Sequence, residues 1–298
     1  MTIEEFTNKI AEMLKETLPE EYKNGNGVIE VSNVTKNNDV EKICITAKRK
    51  DINIAPVIYT KSFYEKYEDG EEMEEIANEI AKLITENNNP GFDADMYKDW
   101  EKVKEKVLPR IMGRTCWNEK FAEEYVHDQI EDLYIGFYVE IETEEQIRMT
   151  GSIKIKYGHL DMWGVAEEDI ITQAYTNLRK HTPVVRSMFD VLKEHIPEEQ
   201  LAMDDGMNIL TNKKMIFGAT EILNRNFMKE LLDKTGDEAI YCIPSSIHEW
   251  ILLKESMVTG IKEIQEMIKT VNSSMVDEED RLSDHLYKYT EYGLESVF

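Results

Sequence analysis

A short segment between two apolar runs carries the side chains best suited to chemistry. Ser245, Ser246, His248 and Glu249 bring two hydroxyls, an imidazole and a carboxylate together. These groups serve as nucleophile, base and orienting acid in serine hydrolases. One hypothesis is therefore a hydrolase-like reaction in which either serine is the nucleophile and His248 is the base. Glu249 or Asp284 would then orient the imidazole.

The spacing of the same residues favours a structural role. In a strand, His248 and Glu249 point to opposite faces of the sheet. In a helix, Ser246 and Glu249 form a capping box, in which both side chains bond to backbone N–H groups. The sequence also lacks the Gly-x-Ser-x-Gly turn that exposes the serine of many hydrolases. The favoured interpretation is that this segment forms structural hydrogen bonds at the edge of a sheet.

Metal and nucleotide sites lack their sequence motifs. Glu124 and His127 have the i, i+3 spacing of a di-iron ligand pair, but such a site needs a second pair that the sequence does not contain. The other histidines show no spacing typical of zinc ligands. Neither of the glycine-rich phosphate-binding motifs occurs. The sequence therefore predicts no metal site and no cofactor.

Aromatic residues provide the candidate binding residues. Tyr59, Tyr64 and Tyr67 lie around a predicted strand-to-helix corner, and His159 and Trp163 complete the set. Aromatic side chains are enriched where proteins bind partners. Aromatic residues at helical spacing are also typical of a protein core, so both interpretations stay open.

The charge of the chain restricts its partners. Its 298 residues include 60 acidic and 35 basic side chains, for a net charge of −25, and residues 51–150 alone carry 25 acids against 11 bases. Binding to nucleic acid or to an anionic membrane through a basic surface is therefore not expected. Three interpretations of the acidic surface remain. It is a solvated coat, a face that docks a basic protein, or a mimic of nucleic acid.

Several features predict a cytoplasmic location. The segment Met1–Phe6 is acidic where a signal peptide needs a basic region. No apolar run reaches the length of a membrane span. Cys44, Cys116 and Cys242 are widely spaced and odd in number, which is typical of reduced thiols inside a cell.

Helices and strands must position these residues. Apolar residues at helical spacing, together with a capping box at Thr2 and Glu5, predict helices over Ile3–Leu18, Ser62–Tyr67, Met73–Ile84, Met96–Met112, Asn118–Asp128, Glu167–Lys180, Met188–His195, Gly218–Asp233 and Gly260–Val271. Alternating or β-branched runs predict strands over Val28–Val34, Ile43–Ala47, Pro56–Tyr59, Leu133–Ile141, Ile147–Ile155, Asn208–Leu210, Met215–Phe217 and Ala239–Ile243. Asn87–Gly91 is predicted as a loop.

The order of these elements predicts an α+β fold with mixed, mainly antiparallel sheets covered by helices. Two packed portions are expected: residues 1–115 with a small antiparallel sheet, and residues 116–298 with a larger one. The C-terminal part of the chain is acidic and rich in tyrosine, with Asp277–Asp280, Asp284, Tyr287, Tyr289 and Tyr292. This tail is interpreted either as a docked edge strand or as a partner-binding peptide. No oligomeric state is predicted.

A set of residues spread over nearly the whole chain resembles an uncharacterised bacterial family of unknown function. The set comprises Ala55–Tyr59 with Tyr64, Tyr67 and Gly70, then His159-Leu160-x-x-Trp163-Gly164, Leu210–Asn212, Gly218-Ala219, Pro244-Ser245-Ser246-x-His248-Glu249, Asn272, and Leu282–Asp284 with Tyr287. Ala55 and Thr60 depart from it, in places where serine and leucine are expected. Members of the family are of similar length and come from anaerobic gut-type bacteria. The resemblance implies a cytosolic bacterial protein built as one continuous unit, and it implies no activity.

The leading functional hypothesis is a non-enzymatic accessory or regulatory protein that binds another protein. It rests on the missing catalytic motifs, the acidic region and the aromatic clusters. The hydrolase-like reaction at Ser245 or Ser246 with His248 is the first alternative, and an acidic mimic of nucleic acid is the second.

Overall fold

The computed structural model describes residues 1–50, 55–86, 94–113, 119–141, 151–194 and 206–297. They form helices and antiparallel sheets, so the predicted α+β class is confirmed. Contacts within the chain group it into two compact units, Met1–Tyr97 and Lys98–Phe298. The domain boundary at residues 115 and 116 stays a prediction.

The helices and strands of the described residues are numbered in chain order. The α-helices are α1 Ile3–Thr17, α2 Lys61–Glu68, α3 Met73–Glu86, α4 Trp100–Val103, α5 Glu119–Glu124, α6 Tyr157–Trp163, α7 Glu167–Leu178, α8 Met188–Lys193, α9 Arg225–Thr235 and α10 Ile261–Ser274. The strands are β1 Gly27–Thr35, β2 Glu41–Arg49, β3 Val57–Tyr59, β4 Val107–Met112, β5 His127–Ile130, β6 Leu133–Ile141, β7 Gly151–Lys154, β8 Val184–Ser187, β9 Asn208–Thr211, β10 Ile240–Ser246, β11 Glu249–Lys254, β12 Leu286–Thr290 and β13 Gly293–Val297. No helix among these residues is both long and apolar enough to cross a membrane.

The first unit packs helices against the three-stranded antiparallel sheet β1-β2-β3. Its first helix starts at the predicted capping box: the Glu5 amide donates to the Thr2 hydroxyl at 3.2 Å, and the Thr2 amide donates to the Glu5 carboxylate at 3.0 Å. The apolar faces of α1 and α3 supply most of the core, with fully buried residues at Phe6, Ile10, Leu14, Ile76, Ile80 and Ile84. Spacing of three and four residues places these side chains on one face of each helix, as the sequence predicts.

The described residues of the second unit form two antiparallel sheets. In one, β6 pairs with β4, β5 and β7. The other has six strands in the order β13-β12-β10-β11-β9-β8. Helix α7 packs on β4, where the Asn177 side-chain amide donates to the carbonyls of Lys104 at 2.7 Å and of Val107 at 2.9 Å. These bonds fix the start of β4.

The structure corrects the helix predicted over Met96–Met112. Helix α4 is a single turn, and Val107–Met112 is strand β4. Val107, Pro109 and Ile111 are all buried, so the apolar period in this stretch is two residues. Val107 and Ile111 fit both periods, which is why the spacing is misleading. Pro109 fits a strand here because β4 is at the edge of its sheet among the strands that the structure describes.

The helix predicted over Asn118–Asp128 is also wrong at its C-terminal end. Helix α5 ends at Glu124, and His127 begins strand β5. The i, i+3 pair is therefore not on one helix, and the Glu124 carboxylate instead forms an ion pair with Lys156. In the part of the chain that the structure describes, no group of three His, Cys, Asp or Glu residues is placed to hold a metal ion.

The strand predicted at Met215–Phe217 is a turn. Met215 and Phe217 have φ angles of 53° and 54°, in the left-handed region that no strand residue adopts. A 3-10 turn, Gly218–Leu223, follows it, and α9 begins only after the Asn224 cap, so the single helix predicted over Gly218–Asp233 is wrong. The loop Asn87–Gly91 and residues 147–150 of the strand predicted to end at Ile155 lie outside the described residues.

The tyrosine-rich tail is docked as strands β12 and β13. Asp132, in the turn between β5 and β6, fixes the start of β12. Its carboxylate accepts hydrogen bonds from the Ser283 hydroxyl at 3.0 Å, from Nδ1 of His285 at 2.9 Å and from the Tyr287 hydroxyl. Tyr287 is fully buried and meets the Trp250 ring edge-on, with ring centroids 5.4 Å apart. This favours the docked-strand interpretation of the tail.

Candidate functional site

The Pro244–Glu249 segment forms the tip of the β10–β11 hairpin, where the strand pairing shifts between Pro244 and Ser246. The Ser245 hydroxyl donates to the Glu249 carboxylate at 3.2 Å. The Ser246 hydroxyl accepts the backbone N–H of His248 at 3.1 Å. Both serines are thus engaged in local hydrogen bonds of the kind that shape tight turns. Ile247 and His248 form the turn between the two strands and Glu249 begins β11, so the strand alternative holds only from Glu249 onward and the helical capping box does not form.

Both ring nitrogens of His248 have partners other than the two serines. Nδ1 accepts the backbone N–H of Phe217 at 3.0 Å, and Nε2 lies 3.5 Å from Oδ1 of Asp280. An acceptor nitrogen carries no proton, so the neutral ring holds its proton on Nε2, facing Asp280. Asp284 accepts a hydrogen bond from Asn272 at 2.8 Å. With neither nitrogen bonded to a serine, the arrangement lacks the base–nucleophile contact of a hydrolase.

The hairpin tip holds a neighbouring loop, residues 212–217, through further bonds. The Thr211 hydroxyl donates to the His248 carbonyl at 2.8 Å, and the Ala219 amide donates to the Ile247 carbonyl at 3.3 Å. The fully buried Trp250 donates its indole N–H to the Ala219 carbonyl at 2.8 Å. Residues far apart in the sequence therefore form one support for this loop.

The loop is closed internally by Asn212. Its side chain accepts the Lys214 amide at 3.0 Å and donates to the Ile216 carbonyl at 2.8 Å. Gly218 then passes close to the support. A Cβ atom at Gly218 would lie 2.6 Å from the His248 carbonyl and 2.7 Å from the Asn212 amide, which is closer than side chains tolerate. Only glycine allows this close approach.

The loop forms one wall of a cleft of about 310 Å³ in the second unit. We call it the Arg110 cleft. Its ionisable lining comprises the cations Arg110, Lys180, Lys213 and Lys214, together with His181 and the two carboxylates of Glu140 and Glu221. The cleft is therefore rich in cations although the chain as a whole is strongly acidic.

Arg110 is held between two aromatic rings. Its guanidinium carbon lies 4.3 Å from the ring centre of Tyr138 and 4.1 Å from that of Phe217. One guanidinium nitrogen donates to the Ser152 hydroxyl at 2.9 Å. Burial lowers the pKa of Arg110, but an arginine stays charged at all physiological pH values. The cleft thus contains a fixed, partly dehydrated positive charge.

His181 and Glu221 form a pair in the same cleft. Nδ1 of His181 donates to Oε1 of Glu221 at 3.1 Å, and the Glu221 side chain is only 2% exposed. This hydrogen bond raises the pKa of His181, against the effect of burial, which lowers it. Oε2 of Glu221 is buried and has no hydrogen-bond partner among the described residues. Leaving such an atom unpaired costs on the order of 1–3 kcal/mol, so it indicates a missing donor.

The predicted binding tyrosines lie in the first unit. Tyr64 and Tyr67 pack on the buried Phe6, with ring centroids 5.5 Å from it in both cases. The Tyr64 hydroxyl also donates to the Met1 carbonyl at 2.6 Å. Tyr59 lies in β3, with the Lys36 ammonium 4.3 Å from its ring centre. The structure brings Tyr64 and Tyr67 together as part of the core.

His159 and Trp163 lie together on α6. Nδ1 of His159 accepts the Lys156 amide at 3.1 Å, which caps the start of the helix. The His159 ring is 5.3 Å from that of Trp163, which in turn is 5.7 Å from Trp100. Burial lowers the pKa of His159. These contacts give both residues a packing and capping role.

Sequence reasoning misses Arg110, His181 and Glu221. Arg110 falls within a predicted helix that is in fact strand β4. His181 is not part of any sequence motif that would distinguish it from the other histidines. Glu221 has a detectable signal, because it is the one charged residue in the segment Phe217–Leu223. A charged residue in such a run is seldom buried without a purpose.

A comparison with protein families identifies the family to which the chain belongs. The model of a family of unknown function, DUF5688, matches residues 3–291. The chain belongs to the DUF5688 family. The resemblance predicted from the sequence is thereby confirmed at the level of a family of unknown function. No curated protein and no solved structure shows a significant match.

Replacing Gly218 by alanine tests the close approach between the loop and the hairpin tip. The added Cβ would press on backbone atoms that cannot rotate away, so we expect a loss of about 1–3 kcal/mol in the free energy of unfolding, typical of overpacking. Gly158 is the matched control, since a Cβ there meets nothing within 4 Å. Thermal denaturation should show a lower midpoint for Gly218→Ala and an unchanged or higher midpoint for Gly158→Ala. Equal midpoints would show that the loop is not constrained by this contact.

The pKa of His181, read from its ring resonances in an NMR titration, tests the bond to Glu221. We expect a value above the ordinary histidine pKa of about 6.5, and a fall toward that value in Glu221→Gln. Because the folded-state pKa is raised, the pair stabilises the fold fully below the ordinary pKa. This contribution is lost as the pH rises through the raised value. A His181 pKa that is indifferent to the substitution would contradict the pairing.

Proposed function

We propose that this protein is an accessory or regulatory protein of the bacterial cytoplasm that binds a small anionic molecule in the Arg110 cleft. The observation that carries the proposal is the fixed guanidinium of Arg110. It is stacked between two rings and shares the cleft with three lysines, in a chain of net charge −25. Gathering cations in one concave place focuses a positive potential there, which attracts an anion of matching size.

The lysines differ in how strongly the protein itself neutralises them. The Lys180 ammonium is 2.5 Å from the Glu105 carboxylate, and the Lys214 ammonium is 3.4 Å from Glu140. Both contacts are largely exposed to solvent, where an ion pair contributes little. Lys213 forms no ion pair within the described part of the chain. An anion that enters the cleft therefore meets cations that are only weakly neutralised.

The dimensions of the cleft favour a small molecule. Ligand pockets in proteins span about 300–1,000 Å³, and the Arg110 cleft, at about 310 Å³, is at the small end of that range. Its walls are mixed, because Leu108, Ile141 and Phe217 provide apolar surface beside the charged groups. Such a lining is typical of sites that orient a ligand by a few polar contacts.

The other hypotheses gain no support from the Arg110 cleft. A protein partner and the mimicry of nucleic acid remain predictions based on the acidic surface. The contacts of His248 weigh against the hydrolase-like reaction. The serine hydroxyls bond to Glu249 and to the His248 amide, and the imidazole bonds to Phe217 and faces Asp280.

Calorimetric titration with inorganic phosphate and with succinate, at low ionic strength, tests the proposed function. We expect saturable binding of at least one of these anions at a single site. Lys213→Glu should weaken it at least about tenfold, the effect of about 1.4 kcal/mol. Lys269→Glu is the matched control, since it makes the same change in charge at an exposed position on α10, outside the cleft.

Two results would contradict the proposed function. One is that neither phosphate nor any small carboxylate binds at millimolar concentration. The other is that Lys213→Glu and Lys269→Glu weaken binding equally, since that would show a general effect of net charge and no specific site.

A further inference from the structure

The buried carboxylate of Glu221 gives the Arg110 cleft a second, chemically different end. Oε1 is used by His181, at 3.1 Å, while Oε2 has no hydrogen-bond partner among the described residues although it is buried. Glu221 lines the cleft. The site therefore contains a strong acceptor that lacks a donor.

The acceptor end and the cation end are held by one framework. The Ile111 amide donates to the Thr220 hydroxyl at 3.2 Å and so ties strand β4 to the 3-10 turn Gly218–Leu223. Arg110 and Glu221 are the chain neighbours of these two residues, and both line the cleft. The two opposite charges are thus placed on elements that are joined to each other.

We propose that the ligand of the Arg110 cleft is a small carboxylate that also carries a hydrogen-bond donor, an ammonium or a hydroxyl group, which binds Oε2 of Glu221. This inference rests on the proposed function. The carboxylate group interacts with Arg110 and the neighbouring lysines, and the donor group supplies the bond that Oε2 lacks. Amino acids and hydroxy acids are the chemical class that combines both groups at this size.

The chemistry of the two ends favours this class over simpler ligands, which should bind more weakly. An anion without a donor would bring its own negative charge toward the Glu221 carboxylate and leave Oε2 unpaired. A neutral or purely cationic ligand would bring no negative charge to Arg110 and Lys213, although Glu105 and Glu140 already pair with the other two lysines. A donor-bearing carboxylate satisfies both ends at once, and a buried polar site rejects analogues that lack the matching group.

A matched series of four-carbon acids tests this inference. Succinate has no donor besides its carboxylates, malate adds a hydroxyl, and aspartate adds an ammonium group. Calorimetric titration of the full-length chain should show that malate or aspartate binds at least about tenfold more tightly than succinate. If succinate binds as tightly as both analogues, the inference is wrong while the proposed anion site stands. If none of the three acids and no phosphate binds, the proposed function itself fails.

The variant Glu221→Gln tests whether Oε2 accepts the ligand's hydrogen bond and whether the donor is an ammonium or a hydroxyl group. Glutamine has the same shape, but it presents an N–H group where Oε2 would otherwise be. Affinity for aspartate should therefore fall by at least about tenfold, because an ammonium cannot accept a hydrogen bond. Affinity for malate should fall less, since a hydroxyl group can accept a hydrogen bond from the glutamine N–H instead of donating one. Affinity for succinate should stay the same or rise.

Equal changes for all three acids would mean that Glu221 acts only through the fold, with a water molecule filling the place of the donor, and this would overturn the inference. The comparison within the wild-type protein does not depend on the variant. The inference therefore stays testable if Glu221→Gln does not fold.

Discussion

The hydrogen bond from the Phe217 amide to Nδ1 of His248 is the interaction on which the rest of the site depends. Phe217 has a φ angle of 54°, a conformation that costs a non-glycine residue roughly 1–3 kcal/mol and persists only where surrounding contacts impose it. The bond to His248 fixes the amide, and the two rings lie 5.7 Å apart. The Phe217 ring in turn lies on the guanidinium of Arg110, at 4.1 Å. A single side chain thus links the hairpin tip to the charge in the cleft.

This link explains why Pro244–Glu249 combines polar residue types without arranging them for catalysis. Each polar group holds a neighbouring group in position, since Ser245 bonds to Glu249, Ser246 receives the His248 amide, and His248 receives the Phe217 amide. A network in which every member is satisfied makes a turn rigid. Rigidity at this point is useful because a cation between two rings keeps its position only if both rings are held.

Much of the fold follows from the sequence because it depends on local periodicity. The capping box at Thr2, the β1–β2 hairpin and helix α3 are set by residues close together in the chain, and their predictions are confirmed. The prediction for Val107–Met112 is wrong because Val107 and Ile111 fit both a helical and a strand period. The prediction for Met215–Phe217 is wrong because the hydrogen bond from the Phe217 amide to His248 overrides the preference of an apolar run for a strand.

The cleft could not be predicted in the same way. His181 and Glu221 are 40 residues apart in the sequence, and they meet only because α7 and the 3-10 turn Gly218–Leu223 both lie beside β4. The structural interpretation of Ser246 and His248 could be reached from spacing alone, but their partners could not. Phe217 and Asp280 come from distant segments, and no local pattern connects them with the hairpin tip.

The protonation state of the His248 ring tests the central claim most directly. Nitrogen-15 NMR of the imidazole distinguishes a protonated from an unprotonated ring nitrogen at neutral pH. We expect that Nε2 carries the proton and that Nδ1 is unprotonated and coupled to the Phe217 amide, which should exchange slowly with solvent. If Nδ1 carries the proton, or if both tautomers are equally populated, then His248 does not hold the loop. The support that we describe for the Arg110 cleft would then be contradicted.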